Sequence, residues 1–224
     1  MESFSYITNY ETARFNMIEQ QIRTWEVLDP VVLQLLHDVP REFFVPEAYQ
    51  GLAFADLEIP IGCEQKMLTP KLEARILQAL SIQKSDRVLH VGTGTGYLTA
   101  LLAKLAQSVV SVEIHPELSQ LAERSLRENH INNVELKVGD GAYGWPTQAP
   151  YDVIVFGASS PVEPKDLREQ LAVGGRMLIV LGRAPAMHAT LIQRISENAY
   201  KEDVLFETCI DALINADQGV MFEF

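Results

Sequence analysis

The stretch VLHVGTGTGY (88–97) decides the fold, because an apolar run breaks there into three glycines at every second position. Residues 88–91 read as a strand buried on both faces, and Tyr97–Leu105 reads as the helix that follows it. The glycines therefore occupy a strand-to-helix turn, where a ligand can lie against bare backbone beside helix N-terminal amides. This pattern predicts a nucleotide-type binding site.

The spacing of the glycines narrows the choice of nucleotide. A dinucleotide-binding loop carries glycines at its first, third and sixth positions, but the sixth position counted from Gly92 is Tyr97. The observed G-x-G-x-G spacing suits S-adenosylmethionine enzymes better than NAD enzymes.

Two acidic residues follow predicted strands in the same half of the chain. A buried strand at 109–112 ends in Glu113, where a doubly wound fold places the acid that accepts hydrogen bonds from ribose hydroxyls. The strand Val134–Val138 runs into Gly-Asp-Gly, and Asp140 is placed to accept from an exocyclic amine such as that of adenine. Gly-Asp-Gly is also ordinary turn chemistry, so a turn-forming role for Asp140 is the alternative.

The remaining pattern extends the alternation of strands and helices. A helix is predicted at Pro116–Glu128, and further strands are predicted at 151–156 and 175–181. The sequence therefore predicts an α/β fold with a mostly parallel sheet.

Composition and charge limit the other possibilities. With 47% hydrophobic residues, the 224 residues suffice for one substantial core, and no linker divides them. We expect a single domain, 1–224, with an N-terminal helical cap and substrate-side segment at about 1–80 and the cofactor-binding core at about 81–224. The net charge of -12 and the lack of a Lys/Arg cluster argue against nucleic acid as a partner.

The cysteines and histidines predict no metal site. Cys63 and Cys209 form no metal-ligand pair, and the five histidines show no ligand spacing. No signal peptide and no apolar run of membrane-spanning length is visible, so we expect a cytoplasmic protein without a membrane partner.

The N-terminal part carries helical rather than strand periodicity. Phe15, Ile18, Ile22 and Trp25 recur at helical spacing, and Asp29-Pro30 forms an N-cap and first turn for a second helix. These helices either cover the cofactor crevice as a lid or simply pack on the core, and the sequence favours neither.

Several segments together resemble the protein-L-isoaspartate O-methyltransferase family. They are VPREFFVPEAY (39–49), IPIGCEQKMLTP (59–70), VLHVGTGTGY, GDG and YDVIV, and the resemblance extends over roughly residues 13 to 182. It implies a Rossmann-like class I methyltransferase with a seven-stranded sheet, whose last two strands, near 203–210 and 219–224, form an antiparallel edge. It also implies methyl transfer from S-adenosylmethionine to the free carboxylate of isoaspartyl residues in damaged proteins or peptides, leaving S-adenosylhomocysteine.

One departure from the family falls at the expected acceptor side. The family pattern G-Q-T-I-S-x-P, matched at Gln65 and Pro70, places Lys66 at the Thr, Met67 at the Ile and Leu68 at the catalytic Ser. Leu68 cannot donate a hydrogen bond. Thr69 carries the only hydroxyl in the run and is our candidate catalytic residue, although a role as N-cap of the next helix is the stronger alternative.

Two further departures concern charge. Asp211 stands about where the family has a basic substrate segment, and it would repel a carboxylate acceptor at close range. His90 stands where the family usually has an acid, and a satisfied structural histidine is the favoured interpretation.

Three functions follow from these observations. The chain is an isoaspartyl carboxyl methyltransferase, a methyltransferase with another acceptor, or a protein that binds S-adenosylmethionine without transferring its methyl group. The oligomeric state is not assigned. The predicted cofactor-binding residues are Gln65, Met67, Leu68, Gly92, Thr93, Gly94, Thr95, Gly96, Glu113, Ile114, Asp140 and Gly141.

Overall fold

The computed structural model describes residues 2–219, with side chains from residue 9 onward. The described strands are β1 (Ile59–Gly62), β2 (Gln65–Met67), β3 (Arg87–Val91), β4 (Ser108–Glu113), β5 (Val134–Val138), β6 (Tyr151–Ser160), β7 (Leu171–Arg183), β8 (Ala186–Ser196) and β9 (Ala199–Thr208). The described α-helices are α1 (Glu2–Met17), α2 (Pro30–Asp38), α3 (Pro70–Leu80), α4 (Tyr97–Leu105) and α5 (Pro116–Glu128).

A seven-stranded sheet forms the centre of the fold, with the order β5-β4-β3-β6-β7-β8-β9. The pairs from β5 to β7 are all parallel, whereas β8 pairs antiparallel with both β7 and β9. The chain leaves β3 toward β4 and β5 and then crosses to β6 on the other side. This reversal opens a crevice beyond the carboxyl ends of β3 and β6, the place where such sheets bind ligands. The predicted Rossmann-like sheet is confirmed.

The C-terminal edge of the sheet differs from the expectation. The predicted strand near 203–210 corresponds to β9, but its partner is β8, whose mixed sequence gave no strand signal. A strand predicted at 219–224 lies, apart from Gly219, outside the described residues. Ser159 and Ser160 are the last residues of β6 and are fully buried.

The first predicted helix forms at the expected place, but the residues that it buries differ from the predicted apolar face. After α1 the chain forms a π-helical turn (Ile18–Ile22) and a 3-10 turn (Arg23–Trp25). Ile18 and Ile22 are buried, whereas Phe15 and Trp25 are 57% and 46% exposed. The wider π turn changes the angle between successive side chains, so the regular 3.6-residue period fails there.

The second predicted helix has the expected start. The side chain of Asp29 accepts a hydrogen bond from the Val31 amide over 2.8 Å at the N-terminus of α2. Buried residues of α2 and of the preceding turns belong to the same hydrophobic cluster as α3 and α4. This packing favours the core-packing role of the N-terminal helices over a lid.

Candidate active site

The crevice at the carboxyl ends of the strands has an outer and an inner part. The outer crevice is lined by the β1–β2 hairpin, the loops after β3, β4 and β5, the end of β6 and the C-terminal segment. Its lining residues include Ile61, Gln65, Lys66, Gly92, Gly94, Glu113, Ile114, Asp140, Gly141, Gly157, Leu213 and Ile214. The inner crevice continues under the glycine turn and is lined by Met67, Leu68, Glu73, His90, Thr93, Thr95, Tyr97 and Leu98, among others.

The floor of the crevice requires bare backbone at several points. Gly92 and Gly94 have φ angles of 89° and 56°, which favour glycine. A Cβ atom on Gly157 would lie 2.8 Å from the carbonyl oxygen of Gly92, and one on Gly141 would lie 2.7 Å from Cγ1 of Val91. The chain therefore keeps this floor free of side chains, as close approach of a ligand to backbone demands.

Gly96 has a different role from the one predicted. It is the N-cap of α4, with φ 89°, and a Cβ there would lie 3.2 Å from Cβ of Ala122 in α5. Gly96 does not line the crevice; it permits close packing of α4 against α5, the role of the third glycine in nucleotide-binding turns.

Glu113 ends β4 with its carboxylate inside the outer crevice. Its Oε2 accepts a hydrogen bond from the Gly94 amide over 2.8 Å, and its Oε1 accepts one from the His115 amide over 3.0 Å. The side chain is buried, and each carboxylate oxygen can accept a second bond. Glu113 therefore braces the glycine turn and still has acceptor capacity for a ribose diol.

Asp140 combines the two roles that the sequence left open. Its Oδ1 accepts from the Ala142 amide over 2.9 Å, which is the expected turn chemistry. Its Oδ2 accepts from Nδ2 of Asn215 over 2.9 Å, and the residue also lines the outer crevice. The turn is thus tied to the C-terminal segment, which the sequence did not place near the site.

The inner crevice holds two polar atoms that lack protein partners. Nε2 of His90 and the hydroxyl of Tyr97 are buried without a hydrogen-bond partner among the described residues. Burial lowers the pKa of His90 to about 3, so its ring is neutral. Burial also raises the pKa of Tyr97, with the nearby Arg41 guanidinium opposing this. Unpaired polar groups in such a place are suited to meet a polar ligand.

Of the two ring nitrogens of His90, only Nδ1 has hydrogen-bond partners among the described residues. Its Nδ1 lies 2.9 Å from Oγ1 of Thr99 and 3.3 Å from Oγ of Ser111, and Ser111 contacts Thr93 Oγ1 at 2.7 Å. The favoured interpretation of a satisfied structural histidine therefore holds for Nδ1 but not for Nε2.

His90→Asn is expected to remove an acid-sensitive part of the stability. The folded-state pKa of His90 lies below its usual 6.5, so the folded protein binds fewer protons than the unfolded chain. The stabilisation is present above pH 6.5 and is lost as the pH falls toward 3, at about 1.4 kcal/mol per pH unit. Urea unfolding at pH 7.5 and 5.0 should show a wild-type loss about 2 kcal/mol larger than that of the variant.

The exposed His130 supplies the control for this measurement. His130→Asn replaces a solvated ring that is also at a positive φ, which asparagine tolerates. Its pH dependence should follow that of the wild type. Identical pH dependence for His90→Asn and the wild type would contradict a neutral buried His90.

Behind the inner crevice lies a buried ion pair that the sequence analysis missed. Arg41 and Glu73 are in contact, and both side chains are almost fully buried. Nη2 of Arg41 donates to the carbonyl of Leu68 over 2.6 Å, and its Nε donates to the carbonyl of Ala53 over 2.9 Å. Burial raises the pKa of Glu73 to about 7, against the lowering effect of Arg41. The V-P-R-E run at 39–42 is the sequence signal for this pair.

Arg41 also stacks on an aromatic side chain of the inner crevice. The guanidinium lies 4.8 Å from the ring centroid of Tyr97, and that ring packs against Phe44 with centroids 5.4 Å apart. Arg41 thus connects the segment before α3 with the start of α4 and fixes the position of Leu68.

The structure separates Leu68 from Thr69. Leu68 lines the inner crevice together with Met67, whereas Thr69 lines a neighbouring groove with Trp25, Arg75 and Phe206. Thr69 occupies the N-cap position of α3, but its side chain makes no capping hydrogen bond. The candidate catalytic hydroxyl is therefore not brought into the lining of either part of the crevice.

Lys66 and Asp211 form an ion pair beside the outer crevice. Nζ of Lys66 lies 2.9 Å from Asp211 and 3.5 Å from Glu58, and the bond to Asp211 is the main cause of the raised pKa of Lys66. Asp211 belongs to a segment that the end of β6 holds, since Ser159 bonds the main chain at 211 and 213. Two of the residues that depart from the family pattern, Lys66 and Asp211, thus carry opposite charges and pair with each other.

The lining fits S-adenosylmethionine. An acid at the end of β4 suits the ribose, Asp140 lies at the end of β5 on the adenine side, and the side-chain-free floor admits close contact. The unpaired atoms of His90 and Tyr97 lie at the inner end, where the polar amino acid portion of the cofactor would meet them.

Comparison with known proteins agrees with this fit. The family model for protein-L-isoaspartate(D-aspartate) O-methyltransferase (PCMT) matches residues 12–212. Protein-L-isoaspartate O-methyltransferase 2 of Pelobacter propionicus is 38% identical over 94% of this chain and 94% of its own length. Protein-L-isoaspartate O-methyltransferase 1 of Anaeromyxobacter sp. is 43% identical over 76% of this chain and 81% of its own.

Solved structures show the same fold. A protein-L-isoaspartate O-methyltransferase superposes with a TM-score of 0.78 at 26% identity, covering 90% of this chain and 66% of that one. A putative protein-L-isoaspartate O-methyltransferase from Plasmodium falciparum, in complex with S-adenosyl-L-homocysteine, has a TM-score of 0.77 at 20% identity, covering 92% and 98%. Among the described residues, no helix is long and apolar enough to cross a membrane.

The fold, the site and the family match define a class I methyltransferase that depends on S-adenosylmethionine. Within that class, the chain belongs to the protein-L-isoaspartate(D-aspartate) O-methyltransferase family.

Proposed function

We propose that this chain transfers the methyl group of S-adenosylmethionine to the free carboxylate of isoaspartyl residues in proteins and peptides. The carrying observation is the family match over residues 12–212, which includes the glycine turn, Glu113 and Asp140 of the cofactor crevice and the acceptor-side segment 59–70. The cofactor, when bound, supplies a methyl group activated on a sulfonium. With the cofactor bound, an acceptor carboxylate oxygen would form the new C–O bond as the C–S bond breaks, which would give a methyl ester and S-adenosylhomocysteine.

The residues of the chain hold and align the two reactants in this proposal. Glu113 would hold the ribose, Asp140 and Gly141 would hold the adenine side, and the floor around Gly92 and Gly157 would admit the cofactor close to the backbone. A carboxylate is already ionised at neutral pH, so no general base has to accept a proton. Alignment and exclusion of water are the main requirements.

Leu68 supplies an apolar wall at the acceptor end in place of a hydroxyl. Its side chain is buried at 8% exposure, and Arg41 fixes its carbonyl. A dry wall strengthens electrostatic interactions and limits competing hydrolysis. Lys66 lies 2.9 Å from Asp211 and offsets its negative charge, which lowers the repulsion expected for a carboxylate acceptor.

The assay that tests the function uses tritiated S-adenosylmethionine and two peptides of identical sequence. One peptide contains an isoaspartyl residue and the other contains ordinary aspartate at the same place. We expect base-labile methyl ester on the isoaspartyl peptide alone. Binding of S-adenosylhomocysteine without transfer to either peptide would contradict the proposed reaction and leave a different acceptor or a binding role.

Leu68→Ser is expected to lower KM for the isoaspartyl peptide about tenfold, because a hydroxyl would donate to the acceptor carboxylate and such charged bonds contribute about 1.5–3 kcal/mol. The variant should also lose about 2–4 kcal/mol of stability through the cavity left behind. Steady-state kinetics below the melting temperature measure KM. Leu68→Ala creates the same cavity without a hydroxyl, so equal KM values for the two variants would exclude this effect.

A further inference from the structure

We propose that Cys63, His115 and Glu117 form a zinc(II) site that joins the β1–β2 hairpin to the start of α5. The Cys63 sulfur, a ring nitrogen of His115 and a carboxylate oxygen of Glu117 all lie within 4.8 Å of one another. Thiolate, imidazole and carboxylate are the three ligand types that zinc accepts in proteins. The sequence predicted no metal site, because its cysteines and histidines show no ligand spacing.

The ligands come from two elements that meet beside the outer crevice. Cys63 lies in the hairpin turn between β1 and β2, and both Cys63 and Glu64 have positive φ angles, 51° and 58°. His115 is the N-cap residue of α5, and Glu117 lies in its first turn. The turn therefore holds the thiol of Cys63 over the N-terminus of the helix in a conformation that is unusual for residues with a side chain.

His115 provides an independent indication of a ligand. Its Nε2 is buried and has no hydrogen-bond partner among the described residues. The side chain forms no cap on α5, while its main-chain amide donates to Glu113. An imidazole nitrogen without a partner is available for a metal, whereas a buried polar atom left unpaired costs about 1–3 kcal/mol.

The geometry needs only a small adjustment to hold the ion. In a tetrahedral site with zinc bond lengths of about 2.0–2.3 Å, the donor atoms lie roughly 3.3–3.6 Å apart. The three donor atoms here lie within 4.8 Å of one another, so side-chain movements of about 1 Å would bring them to that separation. Cys63 and Glu117 are accessible to solvent, which gives the ion an entry path. Three protein ligands leave the fourth position to water.

A zinc ion at this site would hold the β1–β2 hairpin, which forms one wall of the cofactor crevice, against the start of α5. Gln65 and Lys66 of the same hairpin line the outer crevice, and Glu113 lies two residues before His115. A zinc ion that holds the hairpin against α5 would restrict the motion of this wall. We therefore expect zinc and S-adenosylhomocysteine to bind with positive coupling of about fivefold, reciprocal for the two ligands.

Titration of zinc chloride into the reduced, chelator-treated full chain tests the site. We expect one zinc per chain, and a loss of affinity of more than about 100-fold in Cys63→Ser, since even outer-shell partners of a metal contribute about 10–100-fold. Glu117→Gln, at an exposed position, should also weaken binding. Cys209→Ser removes the other exposed thiol and should bind zinc like the wild type.

Cobalt(II) absorption provides a second measurement that does not depend on catalysis. A thiolate-to-cobalt charge-transfer band should appear in the wild type and in Cys209→Ser, and should be absent in Cys63→Ser. Failure of the wild type to bind zinc, or equal binding by Cys63→Ser, would overturn the site. Unchanged affinity for S-adenosylhomocysteine in the presence of zinc would overturn its link to the crevice. No methyl acceptor is used, so these results are independent of the proposed reaction.

Discussion

Glu113→Gln should bind S-adenosylhomocysteine about 10- to 100-fold more weakly than the wild type. Hydrogen bonds to a charged group contribute about 1.5–3 kcal/mol, and each 1.4 kcal/mol is a factor of about ten in affinity. The carboxylate accepts from the Gly94 and His115 amides with separate oxygens. A glutamine offers one oxygen, so one of the two amides would face its NH2 group. The variant would therefore lose a hydrogen bond that holds the glycine turn and a carboxylate oxygen that can bind the ribose.

Calorimetric titration with S-adenosylhomocysteine measures this effect, and a thermal melt checks the fold. Glu123→Gln is the matched control, because Glu123 lies in α5 and is exposed to solvent. It should bind like the wild type. Equal affinity for Glu113→Gln and the control would show that Glu113 does not contact the cofactor.

Arg41→Leu should destabilise the fold by about 3–5 kcal/mol, because it removes one partner of a buried ion pair. Removing the guanidinium leaves a buried carboxylate without its partner and the carbonyl of Leu68 without its donor. For a chain of this size the melting temperature should fall by roughly 6–20 °C. Thermal or urea unfolding measures the change.

The exposed Arg23 supplies the control for this prediction. Its ion pair with Glu19, at 3.0 Å, is exposed to solvent, so Arg23→Leu should cost at most about 1 kcal/mol. The same loss in both variants would contradict a special role for the buried pair.

A double variant separates stability from positioning. Replacing both Arg41 and Glu73 by leucine removes the two buried charges and should recover most of the stability. Its kcat should stay below that of the wild type, because nothing then fixes the carbonyl of Leu68, and the KM for S-adenosylmethionine should change little. Full recovery of kcat with stability would show that Arg41 serves the fold alone.

The sequence predicted the regular part of the sheet well, because the signals for these elements lie within short segments. The elements Tyr97–Leu105, Pro116–Glu128 and Val134–Val138 coincide with the structure because their apolar spacing and flanking residues lie within each segment. The first helix lost its predicted apolar face where a π turn altered the period. Strand β8 was missed because its pairing with β7 and β9, rather than its own pattern, makes it a strand.

The residues of the candidate site also fall into two groups, those that local sequence patterns place and those that only packing places. Glycines and acids that follow a strand fall at the crevice because parallel strands share one edge, so Gly92, Glu113 and Asp140 could be placed from their positions alone. Residues such as Arg41 and Leu213 reach the site only through packing of distant segments. The V-P-R-E run at 39–42 marks Arg41, but the sequence neighbours of Leu213 carry no such signal.

By itself, then, the sequence determined the doubly wound sheet, the glycine turn at 92–96 and the cofactor, because strand and helix periods and turn chemistry are properties of short segments. Only the tertiary structure decided that Leu68 and not Thr69 faces the inner crevice, and that Lys66 pairs with Asp211. Side chains next to each other in sequence can point to opposite sides of a chain, and ion pairs between distant segments depend on how those segments pack. Such contacts exist only once the fold has formed.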